Sequence, residues 1–321
     1  MYSRRVQLTG RSTYIVSLPK EWVEDRRIGK GSLLAMRRYG DRLLVYLEEG
    51  KGEKTKEIVD VSDFELGDIP LKLISSYTSG ADFIEIRSGK GLLPEVKSAV
   101  KEAMTKLVGL EIVEESYSHI LLQDLASREG LSIKKGLHRL YLMVRSSYKD
   151  IERVLSGDID LARDVTERDD EIDKLTFLIT KRYNELLRSG TAKETRTGLG
   201  YMLAARALER IGDHGARICE NLLILGEESL EKLMSLKVME SHIECFIRKL
   251  DLAMESMMRG SFERGVETIR IEVEAPVTTK DVRIAYIMES LNRAVSYASN
   301  IAEASIDFVV EHDLTSVQSE D

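Results

Sequence analysis

The chain has 321 residues, 43% hydrophobic and 32% charged, with 22 glycines and only four prolines, a composition that excludes a wholly disordered polypeptide and leaves room for two or three domains. No apolar run approaches the roughly 20 residues that span a bilayer. The N-terminal stretch lacks the apolar core of a signal peptide, and Cys219 and Cys245 lie in apolar helical patterns, so a cytoplasmic protein is expected. The net charge of −8 argues against nucleic-acid binding until its distribution is read. Residues 1–48 hold ten Lys/Arg against five Asp/Glu, with no acid before Glu21, while the other 273 residues carry −13.

Residues 1–48 read as a small β-rich module. Strand-like runs Val6–Leu8 and Tyr14–Leu18 flank Thr9-Gly10-Arg11-Ser12, and Pro19 opens a single helical turn, Lys20–Arg27. Two further strands, Leu33–Arg38 and Leu43–Leu47, follow the turns at Lys30-Gly31 and Gly40-Asp41. So short a module has little core of its own, and dimerisation supplies what is missing. Arg4, Arg5, Arg11 and Lys20 fall at strand ends and turns, which suits contact with phosphate backbones and equally describes scattered surface charge. Trp22, the single tryptophan, reads as a core or dimer anchor.

Residues 54–128 read as a mixed α/β spacer or small packing domain. Strands are expected at Ile58–Val61, Phe83–Arg87, Leu110–Glu114 and Ile120–Asp124, with helices at Pro70–Tyr77 and Leu93–Val108. No chemical motif occurs there.

Residues 129–312 read as a helical bundle. No proline occurs between Pro94 and Pro276, and three- and four-residue apolar steps predict helices over 131–156, up to Arg188, 192–225, 228–259, 262–273 and 280–311. Leu137, Leu140, Tyr141, Val144, Tyr148, Ile151 and Leu155 form the apolar stripe of the first, and Asp158 is placed to cap the second. Leu208, Arg210, Ile218 and Glu220 coincide with Leu291, Arg293, Ile301 and Glu303 at an offset of 83, which predicts a duplicated three-helix unit with a shortened fifth helix. Residues 313–321 are expected to form a disordered tail.

Two acid pairs stand out, Asp169 with Asp173 and Glu209 with Asp213, each at a four-residue spacing that puts both carboxylates on one helical face. Ala205, Gly212 and Ala216 share the stripe of the second pair, so those acids face a seam where a metal, protonation or a basic partner offsets their repulsion. Such oxygen ligands suit Mg, Mn, Ca or iron. The same spacing also describes solvated faces paired with Arg168, Arg206 or Arg210. His214, beside Asp213, is an accessory ligand or an ordinary surface or core residue. No phosphate-binding glycine loop, Cys-x-x-Cys or paired nucleophile and base supports catalysis, so no enzymatic activity is expected.

Residues 4–47, with Gly10-Arg-Ser-Thr-Tyr-Ile-Val-Ser-Leu-Pro-Lys-Glu-Trp22 and Ile28-Gly-Lys-Gly31, resemble the AbrB/SpoVT swapped-hairpin DNA-binding domain. Residues 130–312, with Leu208-Glu-Arg-Ile-Gly-Asp-His214, resemble the PhoU domain, and the order of the two parts is similar to archaeal-type PhoU-like phosphate uptake regulators. The resemblance implies a multidomain α+β protein: an intertwined homodimeric basic head, a short α/β segment and an all-α bundle of two three-helix repeats. It implies metal binding at Asp169, Asp173, Glu209 and Asp213, with one divalent or iron-type ion site at most, because Asn292 and Ser296 stand where the second repeat would carry acids. It also implies DNA contact by the head. Val23 and Glu24 occupy the region where that family often has an arginine pair, with Arg26 and Arg27 slightly displaced, and Arg11 matches the position after the loop glycine. The expected function is regulation of phosphate uptake, with duplex operator DNA and a second copy as partners. The alternatives are an adaptor that docks on a phosphate transporter or signalling kinase, and a metal-dependent phosphohydrolase built on the four acids.

Overall fold

The computed structural model describes residues 3–39, 42–47, 54–126, 131–189, 191–225, 238–273 and 279–316. Two compact units divide the chain, Met1–Glu53 and Lys54–Asp321.

The first unit consists of two antiparallel hairpins joined by one helical turn. Strands β1 (Gln7–Thr9) and β2 (Thr13–Ile15) pair Gln7 with Ile15 and Thr9 with Thr13. Gly10 turns the chain between them at φ +68°, a left-handed conformation costly to any residue with a Cβ. Helix α1 (Lys20–Asp25) leads to β3 (Leu34–Tyr39) and β4 (Arg42–Leu47), which pair Leu34 with Leu47 and Met36 with Val45. No described side chain of this unit is buried: Tyr14, Leu33, Met36, Leu43 and Leu44 are all exposed, and Trp22 is only half-buried. Within one chain, Trp22 therefore anchors no core.

The second unit begins with β5 (Lys56–Asp60), α2 (Asp68–Thr78), β6 (Phe83–Arg87), α3 (Pro94–Met104), β7 (Leu110–Glu115) and β8 (His119–Asp124). The sheet runs β5-β6-β8-β7, parallel between β5 and β6 and antiparallel elsewhere. Its buried face meets α2 and α3 in a core that includes Ile69, Leu73, Tyr77, Ile84, Ile86, Val100, Ile120 and Leu122.

Among the described residues six helices follow: α4 (Ile133–Leu155), α5 (Leu161–Ser189), α6 (Ala192–Ile224), α7 (Val238–Arg259), α8 (Phe262–Arg270) and α9 (Val282–Ser316), and the 228–237 part of the helix predicted over 228–259 lies outside the described residues. Ser132 caps α4, a Thr191–Glu194 capping box starts α6, and Ser261 caps α8, each satisfying amide donors at a helix start. Asp158 does not cap the second helix as the sequence predicts. Its carboxylate takes the Arg153 guanidinium at 2.8 Å, and α5 begins three residues later. The stripe of α4 is buried at Leu137, Leu140, Val144, Tyr148, Ile151 and Leu155, while Tyr141 stays half-buried. Leu208 and Ile218 of α6, and Leu291 and Ile301 of α9, which coincide at the offset of 83, are all fully buried. Helix α9 continues through residues 313–316, which were expected in the tail; 317–321 lie outside the described residues. No helix among the described residues is long and apolar enough to cross a membrane.

The α/β layer is not a separate spacer but packs on α5. Asn184 donates to Thr78 O at 2.7 Å, and Arg188 donates to Ser79 O at 2.9 Å and Gly80 O at 2.7 Å, capping carbonyls at the C-terminal end of α2. Beneath them, Lys181 pairs with Asp124 of β8 at 2.5 Å, both nearly inaccessible to solvent, and lies 4.3 Å from the centre of the Tyr77 ring.

A candidate metal centre between two helices

Residues at a spacing of four lie above one another on a helix, so Asp169 and Asp173 form one short ridge of α5, and Glu209 and Asp213 one of α6. The two ridges meet because Gly212 presents no side chain. A Cβ there would sit 2.9 Å from Ile172 Cδ1 and 3.6 Å from Asp169 Oδ1. Ala205 and Ala216, on the same stripe, are buried as well. Oxygen atoms of Asp173, Glu209 and Asp213 come within 4.8 Å of one another, a spacing a single cation can bridge. Asp169 lies next to this trio rather than in it.

Burial and mutual repulsion both favour the protonated acids. The Asp169 carboxyl is pushed up to about 7, first by burial and then by the charges of Asp213, Asp173 and Glu209. Burial also raises Asp173 and Glu209, opposed by Lys106 and Arg210 respectively. Asp169 Oδ1 and Glu209 Oε2 are buried with no hydrogen-bond partner, although Arg210 Nε lies 3.5 Å from the latter. Hard oxygen atoms desolvated without donors fit a hard cation.

Of the three arginines near these acids in sequence, Arg168, Arg206 and Arg210, only the last stands beside them. Arg210 donates to Asp213 at 3.1 Å. Arg168 turns away to Asp150 at 2.8 Å and Ser147 at 3.1 Å on α4. Arg206 adds only a distant charge to Glu209. His214 is not a ligand of the trio: its ring is buried and stacks on Tyr297 of α9, with centroids 5.9 Å apart. Lys106, in the turn after α3, was missed. Its ammonium reaches Asp170 at 2.9 Å and Asp173 at 3.9 Å, bringing a cation from the α/β layer to the edge of the acids. Nothing in local spacing marks it, since more than 60 residues separate it from its partners. Cys219 is buried with its thiol pushed up to about 12 by burial, which leaves it a packing residue.

The basic candidates of the first unit are all exposed. Arg11 occupies the tip of the β1–β2 hairpin, Arg4 and Arg5 precede its open end, and Lys20 opens α1 with Glu24 at 3.5 Å. Arg26 caps the C-terminal end of α1, and Arg27 follows in a left-handed conformation at φ +50°.

The family model of the PhoU domain matches residues 137–222. That span holds all four acids and covers α5 and most of α4 and α6. The phosphate-specific transport system accessory protein PhoU homolog 1 of Thermotoga maritima is 29% identical over 116 residues, which are 36% of this chain and 45% of that protein. The chain thus matches less than half the length of that relative. The crystal structure of PhoU from Pseudomonas aeruginosa aligns with 56% of this chain and 96% of its own at 18% identity, with a TM-score of 0.47.

Proposed function

We propose that this chain is a non-enzymatic regulator of phosphate uptake, with a dimeric basic head that binds duplex DNA and a PhoU-like body that senses cellular state. The match of residues 137–222 to the PhoU domain carries the regulatory reading. The head's exposed apolar side chains and its surplus of Lys/Arg support a second copy as its partner and DNA as its target. In this reading the head is a swapped-hairpin dimer of the AbrB/SpoVT type, the organisation of archaeal-type regulators. Arg4, Arg5, Arg11, Lys20, Arg26 and Arg27 supply its basic face, and the chain works in the cytoplasm, where operator DNA lies. A two-fold head would read a two-fold operator.

Asp173, Glu209 and Asp213 are proposed to hold one divalent or iron-type ion, with Asp169 beside it. A bound ion would supply the positive charge that lets these carboxylates ionise together.

The test is fluorescence anisotropy of full-length protein on duplexes from upstream of phosphate-transport genes, across a salt series. Binding that weakens steeply with salt, distinguishes these fragments from random DNA and weakens in Arg11→Ala supports the DNA reading. Equal binding to random DNA would sink it.

One observation favours a second reading, in which the chain is an adaptor on a phosphate transporter or signalling kinase. The matched relative is named as an accessory protein of a phosphate-specific transport system. Co-purification with membrane transporter subunits, and no retention on DNA, would select it.

A further inference from the structure

A cleft of about 730 Å³ opens beside α9, between the C-terminal end of α8 and α7, and none of the acid trio lines it. Its volume lies within the range of about 300–1,000 Å³ typical of small-molecule sites. The wall includes apolar Ile271 and Val295, and the polar lining includes Lys249, Asn292, Arg293 and Ser296.

Lys249 is the unusual member. The residue is only 4% exposed, and its ammonium donates to one neutral acceptor, Ile271 O, at 2.8 Å. That bond caps the C-terminal end of α8 but does not compensate a buried positive charge. No carboxylate among the described residues forms an ion pair with it; Glu303 acts on it only as a more distant charge, and burial lowers its affinity for the proton. A buried lysine beside an open cleft places an uncompensated positive charge within reach of an anion.

The residues around it fit that polarity. At the offset of 83, Asn292 takes the place of Glu209 and Ser296 that of Asp213, so an amide and a hydroxyl replace two carboxylates. Arg293 stands at the mouth, bonded through Nε to Glu289 at 2.9 Å, with its remaining guanidinium N–H groups available to a ligand by rearrangement. Glu289 and Glu272 are exposed at the rim, where they oppose a highly charged ligand body but lie outside ion-pair distance of Lys249.

We propose that this cleft binds the phosphoryl group of a small molecule, with Lys249 as the buried counter-charge, Arg293 closing on the group from the mouth, and Asn292 and Ser296 as neutral hydrogen-bonding partners. A phosphoryl group carries nearly two negative charges at neutral pH, matching the two cations. The apolar wall and the volume leave room for an organic body, so the source is free phosphate or a phosphomonoester. The site is independent of the acid trio and of DNA binding.

Isothermal titration of the full chain with inorganic phosphate, AMP and citrate tests it, each on wild type, Lys249→Met and Arg293→Ala. Expected is saturable binding of phosphate or AMP with a dissociation constant below about 1 mM, weakened at least about tenfold in Lys249→Met and severalfold in Arg293→Ala. Tighter binding of AMP than of phosphate identifies an organic phosphate as the ligand, and the reverse identifies the free ion. Absence of saturable binding by both probes, retention of wild-type affinity in both variants, or equal affinity for citrate overturns the proposal. Arg293 is exposed, so Arg293→Ala is expected to retain the fold and decides the matter if Lys249→Met fails to fold.

Discussion

The ring of His214 stacks on that of Tyr297, 5.9 Å between centroids and 28° between planes. The two residues are 83 apart, the same offset at which Leu208 matches Leu291 and Ile218 matches Ile301. Helices α6 and α9 therefore face each other at a pair of positions separated by that same offset. This is why His214 leaves the acids, one residue away: the turn of the helix directs Asp213 towards α5 and His214 towards α9.

The acid seam makes stability depend on pH with a definite sign. Asp169 has its carboxyl at about 7 in the folded chain against an ordinary value of 3.8. Between these values the folded state holds more of the proton, so this group's contribution falls as pH rises from about 4 to about 7. Asp169→Asn removes that loss. Without added metal, the variant should be more stable than wild type at pH 8 by roughly 1–3 kcal/mol and alike at pH 4, read from urea unfolding. Parallel curves at both pH values would refute the assignment.

Lys106 competes with any cation for Asp173, since its ammonium stands 3.9 Å from that carboxylate and 2.9 Å from Asp170. Lys106→Met should tighten Mn²⁺ binding about threefold to tenfold, measured by paramagnetic titration of the free ion. Weaker binding in this variant would mean that the lysine orders the acids instead of opposing the metal.

Asp251 ties α7 to α4. Its Oδ1 accepts from Tyr141 Oη at 2.6 Å and Arg145 Nε at 2.7 Å, and its Oδ2 from a second Arg145 nitrogen at 3.0 Å. Asp251→Ala leaves a half-buried guanidinium and phenol without their acceptor and should cost roughly 1–3 kcal/mol in urea unfolding. Asp251→Asn, which keeps one acceptor, should cost less.

The head hairpin β3–β4 exposes apolar residues on both faces, Met36 and Leu43 on one and Leu44 and Tyr46 on the other. Such a hairpin needs cover. Leu44→Glu should convert a dimer to a monomer in sedimentation velocity on the full chain, and DNA binding should fall with it. A variant that sediments as wild type would place the dimer contact elsewhere.

Local rules made much of the fold legible. Proline-free stretches with three- and four-residue apolar steps marked the bundle helices, because burying one face of a helix demands that repeat. Alternation and turn residues marked the strands of the α/β layer to within a residue or two. Asp158 shows the limit of such rules: a good capping residue has a second option when an arginine lies within reach, and Arg153 won.

The sequence by itself determined that each acid pair shares one helical face and that positive charge gathers in the first 48 residues, since both follow from spacing and order along the chain. Tertiary structure alone decided that the two pairs meet, because this depends on Gly212 letting Ile172 and Asp169 of α5 approach. It also decided that Lys106 arrives from the α/β layer and that Lys249 is buried with no carboxylate among the described residues paired to it. Those relations join residues distant in sequence, and they are set by how helices rotate and pack around a shared core, which no local repeat encodes.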